Sequence, residues 1–138
     1  MRHLSDICCN QKPLIMPQTA TVRSACEQMA ERKAGSVLVT DASGRLVGIF
    51  TGRDAVRRVL AKGRGGDTKL AEAMTAKPVT MSPEKTAIDA LRLMWDGGFR
   101  HVPLVHDEDL VGVISRGDFQ SEEQLVLDEE RQLWEHMR

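Results

Sequence analysis

Apolar residues recur along this chain with two alternating periods. Val22, Ala25, Cys26, Met29 and Ala30 follow the i, i+3, i+4, i+7, i+8 spacing that gathers apolar side chains on one helical face. Ala87, Ala90, Leu91, Met94 and Trp95 repeat that series 65 residues later. Thr21 and Thr86 stand where an N-cap is needed. After each helix the period changes to that of strands. Ser36-Val37-Leu38-Val39 and Leu46-Val47-Gly48-Ile49-Phe50 flank Asp41-Ala42-Ser43-Gly44, which is hairpin chemistry. His101-Val102-Pro103-Leu104-Val105 and Leu110-Val111-Gly112-Val113-Ile114 are their later counterparts. Pro103 cannot donate to a ladder, so it predicts an edge or a strand start. A short extended piece, Pro13–Met16 or Pro78–Met81, precedes each first helix, and a second helix opens at Thr51 or Ser115.

The chain is therefore one strand-helix-strand-strand-helix unit written twice. Lys12, Pro13, Met16, Thr21 and Met29 return at Lys77, Pro78, Met81, Thr86 and Met94 without a gap. The offset falls to 64 at Gly48 and Gly112, a one-residue deletion in the loop Asp107-Glu108-Asp109. The expected division is a first repeat with its lead-in over 1–61, a linker over 62–69, a second repeat over 70–120 and a C-terminal helix over 121–138. Lys62-Gly63-Arg64-Gly65-Gly66-Asp67 lacks the Gly-Lys-Ser/Thr ending of a phosphate loop and reads as a flexible linker. In the last segment Leu127 and Trp134, with Val126, Leu133 and Met137, share one helical face. That face either packs on its own module or meets a partner, where Trp anchors are enriched.

A chain of 138 residues can bury one real core, which two marginal repeats of about 60 residues would share. Apolar content of 41% and charged content of 28% are those of a globular protein. A net charge of −1 gives no electrostatic case for nucleic acid or an anionic membrane. No run approaches the roughly 18–20 apolar residues of a membrane span. The start, Met1-Arg2-His3-Leu4-Ser5-Asp6, lacks a signal-peptide core. Three cysteines, two of them adjacent, point to free thiols in a reducing cytoplasm. No histidine stands at ligand spacing from them, which disfavours zinc.

The repeat closes twice on one phrase: Gly48-Ile49-Phe50-Thr51-Gly52-Arg53-Asp54 and Gly112-Val113-Ile114-Ser115-Arg116-Gly117-Asp118. Its Ser/Thr-x-x-Asp core is also a helix-capping pattern, and Thr86-x-x-Asp89 shows it with no site proposed. Context adds meaning. Each copy sits where an apolar strand delivers the chain to a helix N-terminus, a place that suits phosphate. An Asp one turn in can accept hydrogen bonds from both ribose hydroxyls.

The arrangement resembles the CBS domain, named for cystathionine β-synthase, in its tandem form, the Bateman module. The resemblance covers roughly Leu4 to Phe119. It rests on the duplicated phrase, on Gly98-Phe99-Arg100-His101-Val102-Pro103-Leu104-Val105, and on the lead-in Leu70-Ala71-Glu72-Ala73-Met74 with its looser counterpart Leu4-Ser5-Asp6-Ile7-Cys8. It implies an α+β, mixed α/β fold: two tandem β-α-β-β-α repeats related by pseudo-two-fold symmetry, plus a C-terminal helix. It also implies a regulatory sensor that binds an adenosine-containing small molecule (AMP, ADP, ATP, S-adenosylmethionine or NAD) in two clefts between the repeats.

Carried over residue by residue, one cleft joins Ile49, Thr51, Arg53 and Asp54 to Lys77, Pro78, Val79, Phe99, Arg100 and His101. The other joins Val113, Ser115, Gly117 and Asp118 to Lys12, Pro13, Leu14, Ala34, Gly35 and Ser36. The first offers Arg53, Arg100 and His101 to phosphates, and Arg can hold phosphate bidentately. It is expected to take a phosphorylated nucleotide more tightly. The second has only Lys12 as a cation and suits a less charged adenosyl ligand or none. No metal, obligatory cofactor or catalytic residue is expected: His106 with Asp107 lies in a loop, and Cys8-Cys9 has no base in view. The implied protein is a cytoplasmic, non-enzymatic homodimer whose output lies in another, unknown chain. The alternative is a dimerisation scaffold with vestigial clefts.

Overall fold

The computed structural model describes residues 2–8 and 11–136, so Cys9 and Met137 lie outside the described residues. The chain forms two compact units, each drawn from both halves of the sequence. The first comprises Lys12–Val79 with Glu108–Leu110; the second comprises the residues up to Gln11, Thr80–Asp107 and those from Val111 on.

In the first unit β1 (Ile15–Pro17) runs parallel to β2 (Ser36–Thr40), which pairs antiparallel with β3 (Leu46–Thr51). A two-residue β4 (Thr75–Ala76) lies antiparallel on the far side of β3, so the sheet order is β1-β2-β3-β4. Helix α2 (Val22–Arg32) is capped by Thr21, whose Oγ1 accepts from Ser24 N at 3.1 Å. It buries Val22 and Ala25 against Val37, Val39 and Phe50. Cys26 and Met29 are half-buried and Ala30 is exposed, so the apolar stripe is narrower than its spacing predicts. Cys26 packs against this core, and burial pushes its thiol up from its ordinary pKa.

The second unit repeats this plan. Helix α5 (Ala87–Gly97) buries Ala87, Ala90, Leu91 and Met94 against Val102, Leu104 and Ile114 of β5 (His101–His106) and β6 (Asp109–Ser115). The expected first strand, Pro78–Met81, is reduced to a single parallel bridge from Met81 to Leu104. Its register matches that of Met16 with Val39 in the first unit. Met81 N donates to Pro103 O at 3.1 Å and Met81 O accepts from Val105 N at 3.0 Å. The N–H that Pro103 lacks falls just beyond this one-residue ladder, so proline is tolerated there. Asp107 (φ 49°) and Glu108 (φ 70°) are both left-handed, the pair of angles that a two-residue type I′ hairpin requires. The one-residue deletion thus converts the longer first turn into a tighter one.

The lead-ins are exchanged between repeats. Helix α4 (Leu70–Ala73) belongs to the first unit, where Leu70 N donates to Ala20 O at 2.9 Å and Val22 N donates to Thr68 O at 2.8 Å. Helix α1 (Leu4–Cys8) belongs to the second, where Leu4 N donates to Lys85 O at 2.8 Å and Ala87 N to Arg2 O at 2.9 Å. Leu4 and Leu70 are fully buried. Each is worth about 1.5–3 kcal/mol of burial. The exchange also explains the glycine that opens the repeated phrase. A Cβ on Gly48 would lie 2.8 Å from Met74 Cγ, and one on Gly112 would lie 3.0 Å from Cys8 Cβ. Only glycine lets the lead-in pass so close to the strand.

The second helices differ. After Thr51, α3 (Gly52–Asp54) runs on as a π-helical segment, Ala55–Leu60. After Ser115 the chain makes only a 3₁₀ turn, Arg116–Asp118, and Phe119 returns to extended backbone with its side chain buried. The helix restarts as α6 (Ser121–His136), with Glu123 Oε1 accepting from Gln120 N at 2.8 Å. Thus the helix expected to open at Ser115 is broken after one turn, where Phe119 turns into the core. Leu127 seats α6 on the core beside α5. Arg92 Nε donates to Glu130 Oε2 at 2.9 Å, and the Arg131 guanidinium lies 4.0 Å from the Trp95 ring centroid. Leu125, Val126, Leu133 and Trp134 stay exposed. Among the described residues no helix is long and apolar enough to cross a membrane.

Candidate functional site

The phrase that closes the first repeat builds a saturated carboxylate. Strand β3 delivers Thr51 in extended conformation, and its Oγ1 accepts from Asp54 N at 3.3 Å. Asp54 Oδ2 accepts in return from Thr51 N at 3.0 Å and from Thr51 Oγ1 at 3.2 Å. Its Oδ1 accepts from Thr75 Oγ1 at 3.1 Å and pairs with Arg58 Nε at 3.2 Å. The residue is only 7% exposed. A buried carboxylate persists when its lone pairs are filled in this way.

The second copy is more open. Asp118 Oδ2 accepts from Ser115 N at 2.7 Å and from Ser115 Oγ at 3.2 Å, and the side chain is half-buried. The sequence supplies fewer donors here. Glu122 stands 64 residues after Arg58 and is an anion, while the counterpart of Thr75 by lead-in register is Cys9, outside the described residues. The box recurs a third time at Thr86: Thr86 N donates to Asp89 Oδ2 at 3.1 Å and Asp89 N to Thr86 Oγ1 at 3.2 Å. The Thr86 backbone N–H is the main cause holding the Asp89 carboxyl below its usual pKa range. Capping is therefore the common role of all three boxes. What differs is the set of groups that reach each Asp from elsewhere.

The first unit holds most of the first predicted set. Ile49 is buried and pairs with Thr75, so β4 brings Lys77, Pro78 and Val79 past the strand that carries Thr51. Lys77 N donates to Val47 O at 3.1 Å, and its φ of 50° is left-handed. Such backbone costs roughly 1–3 kcal/mol in a residue with a Cβ and recurs at ligand sites. Arg53 and Lys77 are exposed cations, Pro78 is half-buried and Val79 exposed. Phe99, Arg100 and His101 belong to the second unit. There Phe99 packs on the core, Arg100 O accepts from Arg116 N at 3.1 Å, and His101 opens β5.

The other predicted set divides likewise. Lys12, Pro13, Leu14, Ala34, Gly35 and Ser36 lie in the first unit, joined by the hydrogen bond from Leu38 N to Leu14 O (2.8 Å) and from Arg32 Nη2 to Lys12 O (2.6 Å). Val113, Ser115, Gly117 and Asp118 lie in the second, where Val113 N donates to Gln11 Oε1 at 3.2 Å. Arg58, Thr75 and Gln11 were missed by sequence reasoning. Arg58 could have been found, since it follows Asp54 at i+4. Thr75 and Gln11 carry no local signal, because strand pairing and lead-in packing bring them in. His106 and Asp107 do approach, at 3.4 Å, but on an exposed turn.

A carboxylate with hydroxyl and guanidinium donors, beside an exposed Arg and Lys, can recognise a vicinal diol that carries phosphate. Relatives bear on this. A family model described as CBS domain matches residues 4–61 and again 70–123. The chain is 31% identical over 118 residues to the CBS domain-containing protein YhcV of Bacillus subtilis, covering 86% of this chain and 83% of that protein. It is 36% identical over 104 residues to the CBS domain-containing protein CBSCBSPB3 of Arabidopsis thaliana, covering 75% of this chain. That match spans only 19% of the plant protein, and the chain likewise covers about a fifth of several similar plant relatives. Among solved structures, a CBS domain protein from Pyrobaculum aerophilum complexed with AMP is similar at a TM-score of 0.83 and 26% identity, covering 92% of this chain and 98% of that one. With both repeats matched and the duplicated architecture in place, this chain belongs to the CBS-domain family as a tandem pair.

Proposed function

We propose that this chain is a regulatory module that binds an adenine nucleotide or related adenosyl ligand (AMP, ADP, ATP, S-adenosylmethionine or NAD) and signals to a partner chain. It does so by binding rather than by turnover. The observation that carries the reading is the Asp54 carboxylate, held at the strand–helix junction with exposed Arg53 and Lys77 on the same unit. The AMP complex of the Pyrobaculum relative supports the adenosine part. Ribose hydroxyls would bind by exchange, replacing Thr75 Oγ1 and Arg58 on Asp54 Oδ1, while Arg53 and Lys77 take phosphate. The sequence expectation adds Phe99, Arg100 and His101 to this site, and assigns Lys12, Pro13, Leu14, Ala34, Gly35, Ser36, Val113, Ser115 and Asp118 to a weaker one. Ligand binding would bias the module between states that a partner reads.

The internal saturation of Asp54 favours a second reading, a ligand-free dimerisation scaffold in which Asp54 is structural. Calorimetric titration of the purified chain with the five ligands and with adenosine separates the two. The sensor reading expects saturable binding, weakened for phosphorylated ligands by Arg53→Ala and Lys77→Ala on the order of tenfold each, with adenosine little changed. Absence of heat with every ligand, in a folded protein, would leave the scaffold.

A further inference from the structure

Arg58 stands on the oxygen of Asp54 that the helix cap leaves over. Oδ2 is committed to the cap, accepting from Thr51 N at 3.0 Å and from Thr51 Oγ1 at 3.2 Å. Oδ1 faces groups from elsewhere in the unit, Thr75 Oγ1 at 3.1 Å and Arg58 Nε at 3.2 Å. These two are not equivalent. The Thr75 hydroxyl is neutral and can accept as well as donate, whereas a guanidinium only donates and is always charged. The Arg58 side chain is 49% exposed and that of Asp54 only 9%, so a solvent-accessible cation closes on a buried anion. Arg58 pairs with no other acid among the described residues, and its Nη1 reaches a backbone carbonyl, Met74 O, at 3.5 Å. Its backbone is π-helical, a form that recurs at functional sites. In the second repeat the residue 64 positions on is Glu122, so no cation stands at the matching place after Asp118.

We propose that Arg58 is a selectivity latch, which closes Asp54 to uncharged nucleosides and opens to ligands that bring a phosphate. The inference rests on the reading of Asp54 as a ribose contact, and goes beyond it by naming what that contact discriminates. A vicinal diol must take Oδ1 and so must release Arg58. A nucleoside replaces the hydrogen bond on the carboxylate but offers the displaced guanidinium no anion. A nucleoside phosphate offers one, in the form that arginine binds bidentately. Arg58 follows Asp54 by four residues on the same helical run, so the freed side chain stays beside whatever occupies Asp54. The same cation therefore opposes one ligand and assists the other. Arg53 and Lys77 act differently. They are exposed and neither pairs with Asp54 among the described residues, so they attract phosphate without blocking the diol.

Calorimetric titration of AMP and of adenosine into the wild-type chain, Arg58→Ala and Arg58→Gln tests it, each variant being checked for folding first. The exposed neighbour Arg57, as Arg57→Ala, controls for the loss of one nearby positive charge. The wild-type chain should prefer AMP. In Arg58→Ala adenosine should bind tighter, on the order of fivefold, while AMP binds no tighter, so the AMP-to-adenosine preference falls on the order of tenfold. Tighter adenosine is a gain that general damage to the fold does not produce. Arg58→Gln can still donate to Oδ1 without charge and should lower the preference in the same direction, so the test does not hang on the alanine variant. Arg57→Ala should leave adenosine unchanged. Equal changes for both ligands, or weaker adenosine in Arg58→Ala, would overturn the latch and leave the sensor reading standing. A folded wild-type chain that binds neither ligand would overturn both.

Discussion

Asp54 and Glu123 are both buried acids, and their partners assign them different work. Asp54 accepts from Thr51, Thr75 and Arg58, which ties the end of β3 to the strand that precedes Lys77. Glu123 is held by Arg2, through Nη2 at 2.6 Å and Nε at 3.2 Å. The Arg2 hydrogen bond keeps the Glu123 carboxyl below its ordinary value of 4.5, and Glu123 in turn raises Arg2. A carboxyl whose folded pKa is depressed adds stability above its unfolded pKa and loses it as pH falls through the folded value. Glu123→Gln should therefore cost about 1.5–3 kcal/mol at pH 7. That deficit should shrink as pH falls below the ordinary value of 4.5 and disappear only below the folded carboxyl's depressed pKa. Urea denaturation at pH 7 and pH 3 measures it, and an equal deficit at both would show that the ion pair is not the cause.

At the scale of elements, the decisive feature is the exchange of lead-ins. Leu70 stands at the start of the second repeat in sequence but is buried in the first unit, among Val22, Ala25 and Phe50. Leu70→Ala should destabilise that unit by about 2–5 kcal/mol. Hydrogen exchange then locates the damage: faster exchange in Val37–Phe50, with Val102–Ile114 much less affected, is the expected pattern. The reverse pattern would contradict the exchange. The paired strands, the Thr caps and the register of Met16 and Met81 were legible because each rests on local spacing. The exchange was not. Leu70-Ala71-Glu72-Ala73 announces a short helix with one apolar face, but two nearly identical repeats offer that face nearly identical docking sites. The broken helix after Ser115 had a weak sign in Gly117, and the π-helical stretch after Asp54 had none. Thr86-x-x-Asp89 marked the Ser/Thr-x-x-Asp core as a capping pattern, and all three copies form capping boxes.

For the whole molecule, two repeats of common plan carry unlike chemistry. One unit is basic, with Arg53, Arg57, Arg58 and Lys77 in the same unit as a saturated acid; the other is acidic, and its matching Asp118 has fewer donors among the described residues. Duplication explains the shared fold, and the two halves have diverged in surface charge. The reading of this chain as an adenosine-ligand sensor stands or falls on whether Asp54 does more than cap a helix. The internal control is Asp89, which makes the same capping box at Thr86 in the other unit. The most direct measurement is calorimetric titration of AMP into the wild-type chain, Asp54→Ala and Asp89→Ala, each checked for folding. The account predicts that Asp54→Ala loses at least about tenfold in affinity, as loss of hydrogen bonds to a charged group requires, while Asp89→Ala binds like wild type. Equal affinity in all three, or equal loss in both variants, would contradict it.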